Sequence, residues 1–161
     1  MSGSTPGATD APARSINAKQ LRLLDTYRAG LRLAVQDAVQ GQSQGWACLE
    51  RLATYLAGWF SRPDWRGLWA LMTATPSWAL ERPDVVKATA ESREEARTLL
   101  DRLAEASGAA NPDALGSGVR TIVYGSATAA ALDGGAAAAD TLRTLLAMTW
   151  QEHGTCPVSS S

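Results

Sequence analysis

The side chains in this sequence best suited to binding chemistry are its six tryptophans, and five of them lie between residues 46 and 78. Trp65, Trp69 and Met72 fall at i, i+4 and i+7, so a short helix would set them on one face, with Trp78 in the loop just beyond. Aromatic planes make good walls for flat apolar ligands, because they bring a large rigid apolar area with few rotatable bonds. Trp46 and Trp59 read as ordinary core. For Trp65, Trp69, Met72 and Trp78, a pocket wall and plain core packing both stand open. Further along, Tyr124 and Thr121 or Thr128 could project polar groups into the same hollow.

Groups for acid, base or nucleophilic chemistry are sparse. His153 is the single histidine; it falls at a helix C-terminus, which favours its charged form, and no nucleophile is paired with it. Glu94 and Glu95 are neighbours, so on a helix they point in different directions and do not form a matched acid and base. Cys48 lies in an apolar helical stretch and Cys156 in the tail, with no CxxC or Cys/His cluster that would imply zinc or a disulfide framework. No catalytic residue, metal or cofactor is assigned.

Charge excludes a further class. Fifteen basic residues face sixteen acidic ones, and a phosphate-binding surface needs clustered Lys and Arg. Arg14, Lys19, Arg22, Arg28, Arg32 and Arg51 are interleaved with Asp25, Asp37 and Glu50, which describes a solvated helix surface. The run Glu91, Arg93, Glu94, Glu95, Arg97 reads the same way, with local ion pairs. Direct nucleic-acid binding is therefore not expected. The N-terminus has no apolar segment of the secretory kind and no run reaches membrane-spanning length. A reducing cytoplasm is the expected setting.

Six helices must position these residues. Residues 1–15 are rich in Gly, Ser, Thr, Pro and Ala and read as a disordered tail. Residues 16–154 read as one helical domain, and 155–161 as a second tail. The first helix is expected from Asn17, a cap with Gln20 three residues on and Ile16 and Leu21 as a hydrophobic staple, to Gly41. Leu24, Tyr27 or Arg28, Leu31, Val35 and Ala38 form its stripe. A second helix runs from about Gln44 to Phe60. A third is capped by Ser61, carries Pro63 and Asp64 in its first turn, and ends at Pro76. Pro83 opens a fourth, ending at Gly108, with Val86, Ala90, Ala96, Leu99, Leu100 and Leu103 inward. Asn111-Pro112-Asp113 starts a fifth, reaching about Leu132. After the turn Asp133-Gly134-Gly135 the last helix runs to His153, with Leu142, Leu145, Leu146 and Trp150 inward. Gly116, Gly118, Gly125, Ala127 and Ala129 keep the fifth helix slim, so another helix could approach it closely.

The order of these signals resembles the TetR/AcrR-type regulators. Trp59-Phe60-Ser61-Arg62-Pro63-Asp64-Trp65-Arg66-Gly67-Leu68 looks like that family's W-F-x-x-P-x-x-R-G-C segment, with Leu68 in place of the Cys. Gly108-(x)2-Asn111-Pro112-Asp113-Ala114-Leu115 resembles its G-x-x-D-P-x-x-L start of the next-to-last helix. Tyr124-Gly125-Ser126-Ala127 and Ala131-Leu132-Asp133-Gly134 resemble its Y-D-G-A and Q-L-D-G marks. The resemblance covers roughly residues 17–152. It implies an all-α six-helix bundle like the family's C-terminal domain. Its middle helices would enclose an apolar effector pocket, and its last two would pair with a second subunit in a four-helix interface. Arg66 would hold the corner of helices two and three. The family's DNA-binding head has no counterpart in residues 1–15, so DNA binding is not carried over; only Asn17-Ala18-Lys19-Gln20-Leu21 matches the tail of the head's closing segment.

The expected ligand-binding residues are Trp65, Trp69, Met72, Trp78, Thr121 and Tyr124. The expected dimer interface comprises Gly118, Ile122, Gly125, Ala129, Leu142, Leu145 and Leu146. The partners implied are a second copy, or an intact TetR-type regulator in a mixed dimer holding a single half-site, and a small hydrophobic ligand. A piece of a longer regulator is a further reading. An enzyme reusing the pocket, for cyclisation or dehydration of a hydrophobic natural product, is the alternative of a different class.

Overall fold

The computed structural model describes residues 10–41, 44–73 and 82–155, with side chains from residue 18 onward. These residues form six α-helices and, among them, no strand: α1 Asp10–Gln40, α2 Trp46–Phe60, α3 Trp65–Thr73, α4 Pro83–Ala106, α5 Pro112–Asp133 and α6 Gly135–His153. The expected helix end at Pro76 and the loop residue Trp78 lie outside the described residues, as do Cys156 and most of the two expected tails.

α1 starts at Asp10, well before the expected cap. The residues responsible are Asp-Ala-Pro-Ala-Arg-Ser. Pro12 falls in the first turn, where a missing N–H breaks no helical bond. Asp10 sits at the positive end of the helix dipole, and Ala and Arg are good helix formers. Asn17 is therefore inside the helix rather than at its cap. The end of α1 agrees with expectation: Gly41 follows Gln40 and donates its N–H to the Asp37 carbonyl at 2.9 Å.

Ser61 does not cap α3. It closes α2 instead, its Oγ donating to the Ala57 carbonyl at 2.9 Å. Arg62 then folds onto Asp64 through two hydrogen bonds of 2.8 and 2.7 Å, and α3 begins only at Trp65. Asn111 does cap α5, accepting from the Ala114 N–H at 3.2 Å, with Pro112 in the first position.

α5 and α6 make the most extensive helix pair, α2 lies on α6, α4 on α5, and α1 lies against both α2 and α4. Only Gly134 separates α5 from α6, so the two run antiparallel. Gly134 has φ +116° and makes this one-residue reversal. Gly135 is a glycine for a different reason: a Cβ there would overlap the Phe60 carbonyl at the end of α2. The two glycines let the start of α6 press against the end of α2.

The core holds Leu24, Leu31, Leu49, Leu52, Leu56, Leu68, Leu100, Leu103, Leu115, Leu142 and Leu146, all fully or almost fully buried. One face was misassigned by periodicity. The first half of α4 buries Val85, Thr89 and Ser92, not Val86 and Ala90. Val85, Thr89, Ser92, Ala96, Leu99 and Leu103 form a continuous stripe with spacings of three and four. Two hydroxyls interrupt its apolar character, and Thr89 is accommodated by donating to the Val86 carbonyl at 2.9 Å. Leu145, expected inward, is exposed on α6, while Leu142 and Leu146 on the neighbouring face are fully buried.

Candidate functional site

A chain of aromatic rings runs through the middle of the bundle. Tyr27 of α1 meets Trp59 edge-on at 5.3 Å between centroids, Phe60 meets Trp65 at 5.1 Å, and Trp65 stacks on Trp69 at 5.7 Å. Tyr124 of α5 lies 6.2 Å beyond Trp69. At the Trp69–Tyr124 end the rings open onto a cavity of about 210 Å³ between α1, α3, α4 and α5. Its lining is Tyr27, Trp69, Met72, Thr73, Ser92, Arg93, Ala96 and Tyr124.

Each wall has a local cause. Trp69 is held from both sides: Trp65 stacks on one face, and its indole N–H donates to Thr128 Oγ1 at 3.2 Å. Thr128 in turn donates to the Tyr124 carbonyl at 2.9 Å. Its hydroxyl thus fixes the indole rather than pointing a free group into the hollow. Thr73 donates to the Trp69 carbonyl at 2.8 Å. Arg93 crosses from α4 to the end of α3 and donates from Nη1 to the Met72 carbonyl at 3.3 Å, one of the last carbonyls of a helix that lack an intrahelical donor.

Both phenols of the site stay neutral at physiological pH. Burial pushes the Tyr27 hydroxyl far above its ordinary value, and the nearby Tyr55 and Tyr124 add to the effect. Burial also raises Tyr124, against the lowering influence of Arg93, Arg120 and Arg97.

Of the expected ligand-binding residues, the structure gathers Trp69, Met72 and Tyr124 around one cavity. Trp65 is placed behind Trp69, almost fully buried, with its indole N–H donating to the Ala127 carbonyl at 3.1 Å. Thr121 faces outward on α5 and donates to the Ser117 carbonyl at 3.1 Å. Trp78 lies outside the described residues. Sequence reasoning missed Tyr27, Thr73, Ser92, Arg93 and Ala96. Tyr27 was visible only as a member of the α1 stripe. Ser92 and Arg93 were hidden in a charged run that reads as solvated.

That run is not simply a solvated face either. Glu95 reaches across to α1, accepting from Arg28 Nε at 2.8 Å and from Arg32 Nε at 2.8 Å, with Arg32 Nη2 also in contact. Burial works to raise the Glu95 carboxyl, but the hydrogen bonds from Arg32 and Arg28 outweigh it and hold it below the ordinary glutamate range. The double contact pins α4 to α1 beside the cavity. Arg66 makes a carbonyl contact, but with the end of α5: its Nε donates to the Ala131 carbonyl at 2.7 Å and its Nη2 to Leu132 at 3.4 Å.

The residues expected at a dimer interface divide into two sets. Leu142 and Leu146 are fully buried inside the chain, where they hold α6 to the body. Gly118 faces α6 as well, and a Cβ there would lie 2.7 Å from Thr149 Oγ1. The others lie nearer the surface. Nothing lies within 4 Å of a Cβ at Gly125, Ile122 and Ala129 are half-buried against the edge of the core, and Leu145 is exposed, as is Met148 one turn further along α6. With Gly118 opposite Thr149 in an antiparallel pair, one helical turn along each chain sets Ile122 level with Leu145. The result is an apolar strip of small and branched residues along α5 and α6.

No family model, no curated protein and no solved structure is found to match this chain. Among the described residues, no helix is long and apolar enough to cross a membrane.

Proposed function

We propose that this chain is an effector-binding and dimerisation domain of the TetR/AcrR kind. The cavity takes a small apolar, ring-containing ligand, and the exposed α5–α6 strip docks onto a second copy of the chain. The observation that carries this reading is the aromatic cavity itself. A mostly apolar hollow walled by Trp69, Met72, Tyr27 and Tyr124 sits among four helices of the bundle. Ligand sites are concave and mostly apolar with a few polar groups, and a space of about 210 Å³ with this lining suits a small occupant. The sequence resemblance supplies the class, and the exposed Gly125 and Leu145, with the half-buried Ile122 and Ala129, support the docking half.

The test is native mass spectrometry of the purified chain together with ligand-induced stabilisation. A dimer mass carrying a small organic molecule, or a dimer whose melting point rises with aromatic probes, is the expected result. A mixed dimer with an intact regulator of the same kind would place the second copy in a heteromer. A monomer that retains nothing and responds to no aromatic probe would sink the reading.

A further inference from the structure

The cavity is apolar but not uniformly so. Tyr27 and Ser92 are each more than nine-tenths buried and line it, and neither hydroxyl forms a hydrogen bond among the described residues. Most other helical hydroxyls of the described residues are paired, with Ser126 Oγ on α5 an exception. The hydroxyls of Thr26, Thr54, Thr73, Thr98, Thr121 and Thr144 each return to the carbonyl four residues earlier, the ordinary way a helical hydroxyl is satisfied. Ser92 sits in mid-helix on α4 and makes no such bond. Among the described residues the side-chain atoms sealed away without a partner are Gln20 Oε1 and Ser126 Oγ; the Tyr27 and Ser92 oxygens are not closed off in this way, and as lining groups of the hollow they are free to donate to what enters it.

Arg93 adds charge to the same wall. Its contact with the Met72 carbonyl uses one N–H of a guanidinium that has five. Among the described residues it makes no ion pair, whereas Arg97 is paired with Glu94 and Arg120 with Asp101. The described carboxylates of α4 near it are paired with other cations: Glu91 with Lys87, Glu94 with Arg97, Glu95 with Arg28 and Arg32, and Asp101 with Arg120. The hollow thus combines flat aromatic walls, two neutral hydroxyl donors and a cation whose charge no described carboxylate neutralises.

From this arrangement we infer that the ligand is a small flat aromatic carboxylate, its ring against Trp69 and its anionic group read by Arg93 with Tyr27 and Ser92. This deepens the effector reading and rests on it. Volume bounds the ring system. Drug-sized ligands occupy about 300–1,000 Å³, and a cavity of about 150 Å³ holds benzene. A space of about 210 Å³ therefore takes one ring or two fused rings. The carboxylate is favoured over a neutral polar group because a charge-assisted bond to a guanidinium is roughly twice as strong as a neutral one and can be bidentate.

Isothermal titration of the full chain with matched pairs tests this: benzoate against benzamide, 2-naphthoate against 2-naphthamide, and octanoate as an acid without a ring. The expected result is that at least one aromatic acid binds about tenfold or more tighter than its amide, and tighter than octanoate. Arg93→Gln, which keeps a donor for Met72 but removes the charge, should abolish the preference for acid over amide while leaving the amide affinity within about twofold. Ser92→Ala and Tyr27→Phe should each weaken the acid by a smaller factor, with melting curves reporting that the fold is kept. An amide that binds the unmodified chain as tightly as its acid overturns the anionic ligand but leaves the cavity reading standing. Octanoate binding as well as the aromatic acids overturns the flat ring. A preference for acid that survives in Arg93→Gln overturns the role of Arg93. Failure of every probe to bind overturns this inference and the effector reading together.

Discussion

Glu95 is where one side chain does most to join two helices. Its carboxylate takes hydrogen bonds from both Arg28 and Arg32 of α1 and so sits below its ordinary pKa. A carboxyl that binds its proton less readily in the folded chain than in the unfolded one adds stability above the ordinary glutamate pKa, and that stability is lost as pH falls through the lower folded value. Glu95→Gln should therefore lower unfolding stability by about 1 kcal/mol at neutral pH, a modest figure because Arg32 is half exposed. The difference from the unmodified chain should shrink as the solution is acidified below the glutamate range; urea unfolding at several pH values measures it. Within the ring chain, Trp65 is fully enclosed and its indole N–H is bonded to the Ala127 carbonyl. Trp65→Ala should cost about 3–5 kcal/mol, read from the same unfolding curves. Trp69→Phe keeps a ring on the wall and should be far milder in stability while still altering probe binding.

At the scale of elements, the glycines separate close approach from mere composition. Gly135→Ala forces a methyl into the Phe60 carbonyl and should destabilise by about 1–3 kcal/mol, in the range of overpacking. Gly58→Ala is the contrast. That glycine is exposed in α2 with nothing within 4 Å of its Cβ position, so alanine should stabilise by about 0.5–1 kcal/mol through better helix propensity and a less flexible unfolded chain. Thermal melts of the two variants should move in opposite directions. The α4 stripe makes a related point about elements. A helix can turn hydroxyls inward where a cavity receives them, and a count of apolar residues then finds the wrong face.

For the whole molecule, the decisive surface is the α5–α6 strip. Leu145→Asp, at an exposed position, should leave the fold intact yet convert the proposed dimer to monomer, seen by light scattering and circular dichroism. Leu146→Asp, one residue away but fully buried, should unfold the chain outright, since an unpaired buried charge is among the most destabilising changes. A dimer that persists in Leu145→Asp would remove this strip as the interface.

Most of the six helices were legible in the linear sequence, because helix formation follows local signals. Gly41 ended α1 as expected, Asn111-Pro112 began α5, and the spacing of Leu115, Val119 and Val123 named the inward face of α5. Residue type and helical spacing marked Trp69 and Met72 as either wall or core and Tyr124 as a candidate beside them, and in the structure all three line the hollow. The start of α1 was not, because a proline in the first turn resembles a break until the helix is seen to continue through it. The rest of the cavity was not legible for a different reason. Tyr27, Ser92 and Arg93 come from helices distant in sequence, and only packing brings their faces together. Local hydrogen bonding and periodicity, written into neighbouring residues, made this chain a helical bundle. Which hydroxyls and which arginine meet around Trp69, and which leucines of α6 are left outside, depends on how helices rotate against one another to fill space, and only the tertiary structure decided that.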